Sequence, residues 1–367
     1  MSVVIDWTSD ETSLLLNPRM PAEERERLQK LVASGPDLPG HVWLATSGTS
    51  GSLKLAALSK RAILASAKSV NRHLDAKPED VWCRVLPTFH VGGLGIVARA
   101  YVSGSRIVSA DWDAREFMEI AERERVTLSA LVPAQVRDLV RGQLRAPNSI
   151  RAIVIGGGAM PDDLYKAARD LRWPLLPSYG LTETASQVAT ATSESPDMHV
   201  LGHVVVRIDD GLIEVRGASL LTGYAMWDSH GHAVFADPKV DGWFITEDRG
   251  ELAGDVLHVF GRAGELVKIG GESVDLKRLD SVLDSVRGNI DSAVIAVPDE
   301  RLGHVIHLAS TGEAHGVVEA FNVRVHPFER IRATHRVDTI PRSPLGKLLR
   351  SKLAGLINLL VLIGALL

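Results

Sequence analysis

The chain has 367 residues, 45% of them hydrophobic and 23% charged, and 41 basic against 45 acidic residues give a formal charge of −4. That length exceeds one small module and predicts about two domains with an ample core, while the acidic balance excludes a general nucleic-acid binder. A single cysteine, Cys83, excludes an intrachain disulfide, and Met1–Asp6 lacks the basic and apolar regions of a signal peptide.

Pro21–Ser34 reads as a charged surface helix and His41–Ala45 as a strand entering a loop of small residues. Ser59 is placed to cap a helix running to about Leu74. A regular alternation follows. Strands are predicted at Val81–Leu86, Arg106–Ser109, Thr127–Val132, Arg151–Ile155 and Trp173–Pro177. Helices are predicted at Gly93–Ser103, Asp113–Arg125, Pro133–Arg141 and Pro161–Leu171. Short β-branched runs between amphipathic helices imply βαβ units and a mostly parallel sheet.

After about residue 200 the pattern changes. Val204–Ile208, Leu212–Arg216 and Val256–Phe260 read as short strands, with an Asp-Gly hairpin signal at Asp210-Gly211. This predicts a small antiparallel unit attached to the α/β body. A third region starts near Gly261, with a helix at Asp275–Val286, strands near Asp291–Val297 and His304–Ala309, and a last helix from about Gly346. The run Leu356–Leu367 is almost wholly apolar but shorter than the ~20 residues a spanning helix needs. A docked helix, an oligomer contact and an unselected extension all fit it, and a membrane contact stays open.

The loop Thr46-Ser-Gly-Thr-Ser-Gly-Ser-Leu-Lys54 offers hydroxyls, glycines and a lysine, the groups that cradle phosphate. It is not a Walker A loop, because Leu55 stands where a magnesium-binding Ser or Thr would follow the lysine. By itself it reads equally well as a flexible Ser/Gly connection.

Four further motifs follow in order: Tyr179-Gly-Leu-Thr-Glu-Thr184, Asp241-Gly-Trp-Phe-Ile-Thr-Glu-Asp248, Gly261-Arg262 and Pro341-Arg-Ser-Pro-Leu-Gly-Lys347. With the loop, they resemble the adenylate-forming (AMP-binding) superfamily of acyl-CoA synthetases, from about Trp43 to about Leu353. Within it the resemblance is closest to the o-succinylbenzoate–CoA ligase subfamily of menaquinone biosynthesis. Leu86-Pro-Thr-Phe-His-Val-Gly-Gly93, Ser129-Ala-Leu-Val-Pro-Ala-Gln135, Ile155-Gly-Gly-Gly-Ala159, Thr246-Glu-Asp-Arg-Gly-Glu251 and Gly270-Gly-Glu272 carry that likeness.

The resemblance implies an α/β fold with a large body of parallel sheets and a small antiparallel β unit, shortened at its N-terminus. A small mobile α+β domain follows. The expected divisions are residues 1–260 for the ATP- and acyl-binding body, 261–352 for the mobile domain and 353–367 for the apolar tail. The implied activity is a cytoplasmic acid–CoA ligase using ATP, Mg²⁺ and CoA. Its partners would be a small carboxylic acid and CoA, with no nucleic acid; a homodimer stays open. Alternatives are a CoA ligase for another aromatic or medium-chain acid, or a nonligating nucleotide- or acyl-adenylate-binding relative.

Residue by residue, the resemblance implies that Thr46, Ser47, Gly48, Thr49 and Lys54 hold the β- and γ-phosphates. Thr182 would touch the α-phosphate and Glu183 would ligate Mg²⁺. Gly156, Gly157 and Gly158 would admit adenine, with Tyr179 stacked on it. Asp248 and Arg262 would fix the ribose. Lys347 would carry adenylation, and Lys268, Gly270 and Gly271 would line the path of CoA. His90, Ser129, Gln135, Ser186 and Gln187 would wall the acyl pocket. Gly264 stands where relatives carry a hinge Asp or Lys. No arginine stands out in the sequence as the partner of a second substrate carboxylate.

Overall fold

In this computed structural model, which describes residues 5–47, 53–262, 266–269, 272–299, 301–343, 348–350 and 352–357, the chain opens with β1 (Ser13–Leu15) and α1 (Ala22–Ala33). A hairpin of β2 (His41–Ser47) and β3 (Leu53–Ser59) leads into α2 (Lys60–His73). Ser59 caps α2, its Oγ accepting from Ala62 N at 3.1 Å, which satisfies one of the free donors of the first turn.

The predicted alternation follows. It comprises β4 (Val81–Arg84), α3 (Val91–Ser103), β5 (Arg106–Ser109), α4 (Ala114–Arg123), β6 (Leu128–Leu131), α5 (Pro133–Arg141), β7 (Ala152–Ile155), α6 (Asp162–Asp170) and β8 (Leu175–Leu181). The strands pair in parallel in the order β8-β7-β6-β4-β5. Both faces are covered. Leu131, Ile153 and Ile155 point to a core with Phe117 of α4, Leu139 of α5 and Leu164 of α6. Leu128, Ala130 and Val154 point to Val70 of α2 and Ile96 of α3. Burial on two sides explains why β7 is apolar without alternation and why every residue of β6 is buried.

Next come β9 (Ser186–Thr190), β10 (His199–Val200), β11 (Val204–Asp209), β12 (Leu212–Gly217), β13 (Gly223–Trp227), β14 (Ala233–Ala236), β15 (Phe244–Ala253) and β16 (Val256–Arg262). The antiparallel strands predicted after residue 200 join the body through backbone hydrogen bonds, as one eleven-stranded sheet ordered β11-β12-β15-β16-β10-β9-β8-β7-β6-β4-β5. Strand β8 makes the join: Leu175–Pro177 pairs in parallel with β7, and Ser178–Leu181 runs antiparallel to β9. The β11–β12 hairpin turns at Asp210-Gly211, with φ 45° and 74°, the left-handed pair that a two-residue turn requires. A second sheet has the order β1-β2-β3-β13-β14.

Two compact units are present. One comprises the chain through Thr246 with Gly250–Val259, and the other Glu247–Arg249 with the chain from Phe260 onward. The second contains β17 (Leu266–Ile269), β18 (Glu272–Asp275), α7 (Leu276–Val286), β19 (Ser292–Asp299), β20 (Gly303–Ser310), α8 (His315–Asn322) and β21 (Ile331–Arg336). Helices α7 and α8 cover one face of the β19-β20-β21 sheet through Leu279, Leu283 and Phe321. The other face is closed by Leu353 and Ile357, both fully buried against Ala293, Ile295 and Val297. Of the apolar run only Leu356, which is exposed, and Ile357, which is buried here, are described; residues 358–367 lie outside the described residues. No helix among the described residues is long and apolar enough to cross a membrane.

One polar staple ties the parallel sheet together. Arg151 donates to both carboxylate oxygens of the buried Asp80, at 3.0 and 2.6 Å, and Thr127 Oγ1 donates to the same carboxylate at 2.7 Å. Burial alone would push the Asp80 carboxyl up, but these bonds and one from Lys77 N outweigh it and hold it below the usual carboxylate range. Nearby, Cys83 is fully buried, and burial pushes its thiol up to about 12.

Two stability outcomes follow. Asp80→Ala leaves the Arg151 guanidinium only its bonds to Leu74 O and Asp75 O and takes the acceptor from Thr127 Oγ1 and Lys77 N; it should cost roughly 2–3 kcal/mol, read as a lowered urea midpoint at unchanged slope. Burial also pulls the His203 imidazole down to about 4. Between its unfolded value of ~6.5 and 4, the unfolded chain takes up a proton that the native one refuses. Stability should therefore be intact above pH 6.5 and fall as pH drops toward 4. His203→Phe should flatten that slope by up to ~1.4 kcal/mol per pH unit, measured by denaturation at several pH values.

Candidate active site

Strand β8 ends in a tight turn that the sequence dictates. A Cβ on Gly180 would lie 1.9 Å from the carbonyl oxygen of Ser186, so only glycine allows β8 and β9 to cross there. The chain then makes one 3-10 turn, Thr182–Thr184, and leaves it through Ala185 and Ser186 at φ 55° and 134°. Thr184 is fully buried, and its Oγ1 bonds the Leu181 backbone and donates to Ser186 O at 2.9 Å. That brace leaves the Thr182 and Glu183 side chains partly exposed.

Glu183 is fixed from the other sheet. Leu221 N donates to Glu183 O at 2.8 Å, and Tyr224 Oη donates to Glu183 Oε1 at 2.6 Å. Lys54 Nζ stands 5.1 Å from the centroid of the same tyrosine ring, a cation–π distance. Thr46 faces Lys54 across the β2–β3 hairpin, and Ser47 faces Leu53. The phosphate-loop lysine and the candidate metal carboxylate thus meet on one residue, Tyr224, which the sequence reading did not single out. Carboxylate and hydroxyl oxygens suit a hard cation shared with phosphates, so the donor set fits Mg²⁺.

The Gly156–Gly158 turn lies beyond the C-terminal end of β7, where open α/β sheets place ligands. Gly157 has φ 76°, and a Cβ there would approach Val132 Cγ1 to 3.1 Å. Tyr179 is buried on β8, and Ser178 Oγ donates to Ile155 O at 2.8 Å beside the glycines. His90 precedes α3 with its ring 4.6 Å from that of Phe89, and burial lowers its pKa.

The other expected pocket residues have partners inside the fold. Ser129 is fully buried and donates to Cys83 O at 2.8 Å, bonding β6 to β4. Gln135 Oε1 accepts from Val132 N at 3.0 Å and closes the first turn of α5. Gln187 Nε2 donates to Thr190 Oγ1 at 2.6 Å. Ser186 Oγ accepts at 2.9 Å from Arg99, a residue of α3 only 2% exposed. Arg99 lies 5.7 Å from the Trp82 ring centroid, and its Nε and Nη1 have no hydrogen-bond partner among the described residues. Burial lowers its pKa to about 10, which still leaves it cationic at neutral pH. A buried cation with two idle donors demands an anion. Its sequence context, an apolar helix face, gave no sign of this.

Asp248 is buried on β15, and Arg262 and Lys268 lie on β16 and β17. Gly48, Thr49, Gly264, Gly270, Gly271 and Lys347 lie outside the described residues.

The chain is 29% identical over 331 residues to a 2-succinylbenzoate–CoA ligase of Bacillus licheniformis, an alignment covering 84% of this chain and 68% of that one. It is 27% identical over 326 residues to the enzyme of the same name from Staphylococcus aureus, covering 84% and 65%. It thus spans about two thirds of the length of these relatives. Among solved structures, o-succinylbenzoate CoA synthetase of Bacillus subtilis, in complex with its acyl-adenylate intermediate, matches with TM-score 0.76 at 27% identity, covering 85% of this chain and 68% of that one. The same synthetase with ATP and magnesium ion matches with TM-score 0.75 at 27% identity, covering 85% and 69%. A match to the AMP-binding enzyme family covers residues 16–224, more than half of the sequence; the chain belongs to that family.

Proposed function

We propose that this chain is an ATP-dependent acid–CoA ligase that works through an acyl-AMP, with o-succinylbenzoate as its acid. In the first step a carboxylate oxygen bonds the α-phosphorus of ATP, the bond to the β-phosphate oxygen breaks, and pyrophosphate leaves. In the second, the sulfur of CoA, having lost its proton, bonds the acyl carbon and AMP leaves with the carbon–oxygen bond pair. Both steps move charge among phosphoryl oxygens, so the protein's task is positioning and neutralisation.

Lys54 and the hydroxyls of Thr46, Ser47 and Thr49 hold the triphosphate, and Thr182 donates to the α-phosphate. Mg²⁺, when bound, neutralises charge on the phosphates, and Glu183 is the residue that holds it. Gly156–Gly158 and Tyr179 receive adenine, and Asp248 and Arg262 the ribose. Lys347 bridges the α-phosphate and the attacking carboxylate. Lys268, Gly270 and Gly271 line the thiol's approach, with Gly264 as the pivot.

The observation that carries the acid's identity is Arg99. Its partner Ser186 lies three residues from Glu183, and its idle donors are cut off from solvent. A monocarboxylate would spend its only charge on the α-phosphate. A dicarboxylate leaves a second one for Arg99. The relatives' shared name supports the same substrate.

The deciding experiment measures pyrophosphate release with ATP, Mg²⁺ and CoA across a panel of acids. Turnover with o-succinylbenzoate alone supports the proposal. Turnover with another acid keeps the chemistry and discards the substrate. No release with any acid, from folded protein that binds ATP, supports a nonligating relative. Arg99→Lys should lower kcat/KM for o-succinylbenzoate by about 10²-fold, the value of one buried charged hydrogen bond, while sparing slow turnover of benzoate. Lys347→Ala should abolish acyl-AMP formation yet retain thiolysis of supplied acyl-AMP; equal loss of both would contradict separate settings for the two steps.

A further inference from the structure

Resting on the reading above, we propose that Tyr224 is a positioning residue that holds the metal-binding carboxylate and the phosphate-binding lysine in one fixed relation. Strand β13 lies antiparallel to β3, with Tyr224 opposite Ala56 and Ala225 opposite Leu55. Lys54 is therefore the diagonal neighbour of Tyr224 on the same sheet face, and the small Ala56 leaves room for the ring. The ring face carries the Lys54 ammonium at 5.1 Å, and the hydroxyl on the ring's far end donates to Glu183 Oε1 at 2.6 Å. One rigid side chain with two rotatable bonds thus spans the two charged groups.

The chemistry of the two ends differs. Hydrogen bonding at Oε1 fixes the rotation of the carboxylate and directs its other oxygen to a cation, the role outer partners play toward metal-binding carboxylates. The ammonium above the ring polarises the phenol and strengthens that donation. The strand itself cannot drift. Lys239 Nζ donates to Leu221 O at 2.7 Å, Thr222 N donates to Ala57 O at 2.8 Å, and Leu221 N holds Glu183 O. Tyr224 is 9% exposed, so water does not compete freely for its hydroxyl. The ammonium rests on the ring face and the carboxylate on the ring's hydroxyl, so each charge is held by the tyrosine.

The test uses the full chain with Mn²⁺ and ATP, without acid or CoA, so that nothing turns over. Free Mn²⁺ is counted by its paramagnetic resonance signal, and ATP affinity is measured calorimetrically with and without metal. Tyr224→Phe keeps the ring and loses the hydroxyl. It should weaken Mn²⁺ binding in the ATP complex by five-fold or more, leave metal-free ATP affinity unchanged, and raise the Mg²⁺ concentration for half-maximal pyrophosphate release by a similar factor, with kcat recovered at saturating Mg²⁺. Tyr224→Leu also removes the ring and should lower metal-free ATP affinity as well. Unchanged Mn²⁺ affinity in Tyr224→Phe, with kcat lowered at every Mg²⁺ concentration, would overturn the inference and leave the ligase reading standing. An unaltered chain that binds ATP but takes up no Mn²⁺ with it would overturn both.

Discussion

The architecture turns on the crossing of two backbones at Gly180 and Ser186. A Cβ at Gly180 would be 1.9 Å from a carbonyl oxygen, so the contact exists only because that side chain is absent. Through it one strand serves two partners of opposite direction, and the parallel and antiparallel halves become a single sheet. The cost is a turn with two non-glycine residues at positive φ, Ala185 and Ser186, where backbone strain is of order 1–3 kcal/mol per residue. Thr184 offsets it with a fully buried hydroxyl that bonds the turn on both sides. The strained turn is also the place where Thr182 and Glu183 reach the surface.

Charge at this site is distributed rather than paired. Arg99 is buried beside a serine and an indole, neither of which can neutralise it. Lys54 rests on a ring face rather than on a carboxylate. For Arg99 the burial of an unpaired guanidinium costs stability, whereas Lys54 is only partly buried. The loop that carries the hydroxyl-glycine-lysine motif joins the two strands of the β2–β3 hairpin, with Thr46 opposite Lys54 at its base.

Local signals were the most legible part of the sequence. The Ser59 cap, the Pro-initiated α5 and the Asp210-Gly211 turn are each set by two or three neighbouring residues, and the structure contains all three. Strands β3 and β13 were not foreseen. Leu53–Ser59 is mostly leucine and alanine with no β-branched residue, Gly223–Trp227 opens on glycine, and both owe their form to strands on either side, β3 between β2 and β13 and β13 between β3 and β14. The site divides the same way. Motif residues such as Glu183 and Lys54 could be named from the family resemblance, while Tyr224 and Arg99 could not, because their contacts lie 41 and 87 residues distant in sequence. Ser129 and Gln135 show the reverse: hydroxyl and amide groups in a motif-like segment that the fold uses for its own backbone.

Cys83 has a practical consequence of a different kind. It is the only cysteine, it has no exposed surface, and at neutral pH its thiol carries almost no thiolate. Maleimides and other electrophilic dyes should pass it by while the chain is folded. The natural sequence is therefore a ready background for site-specific spectroscopy: one thiol introduced on α4 and one on α8 would accept a fluorophore pair without first deleting a native cysteine. Energy transfer between them would report whether the distance between the two labels changes when ATP is added, and late labelling of Cys83 itself would serve as an internal clock for global unfolding.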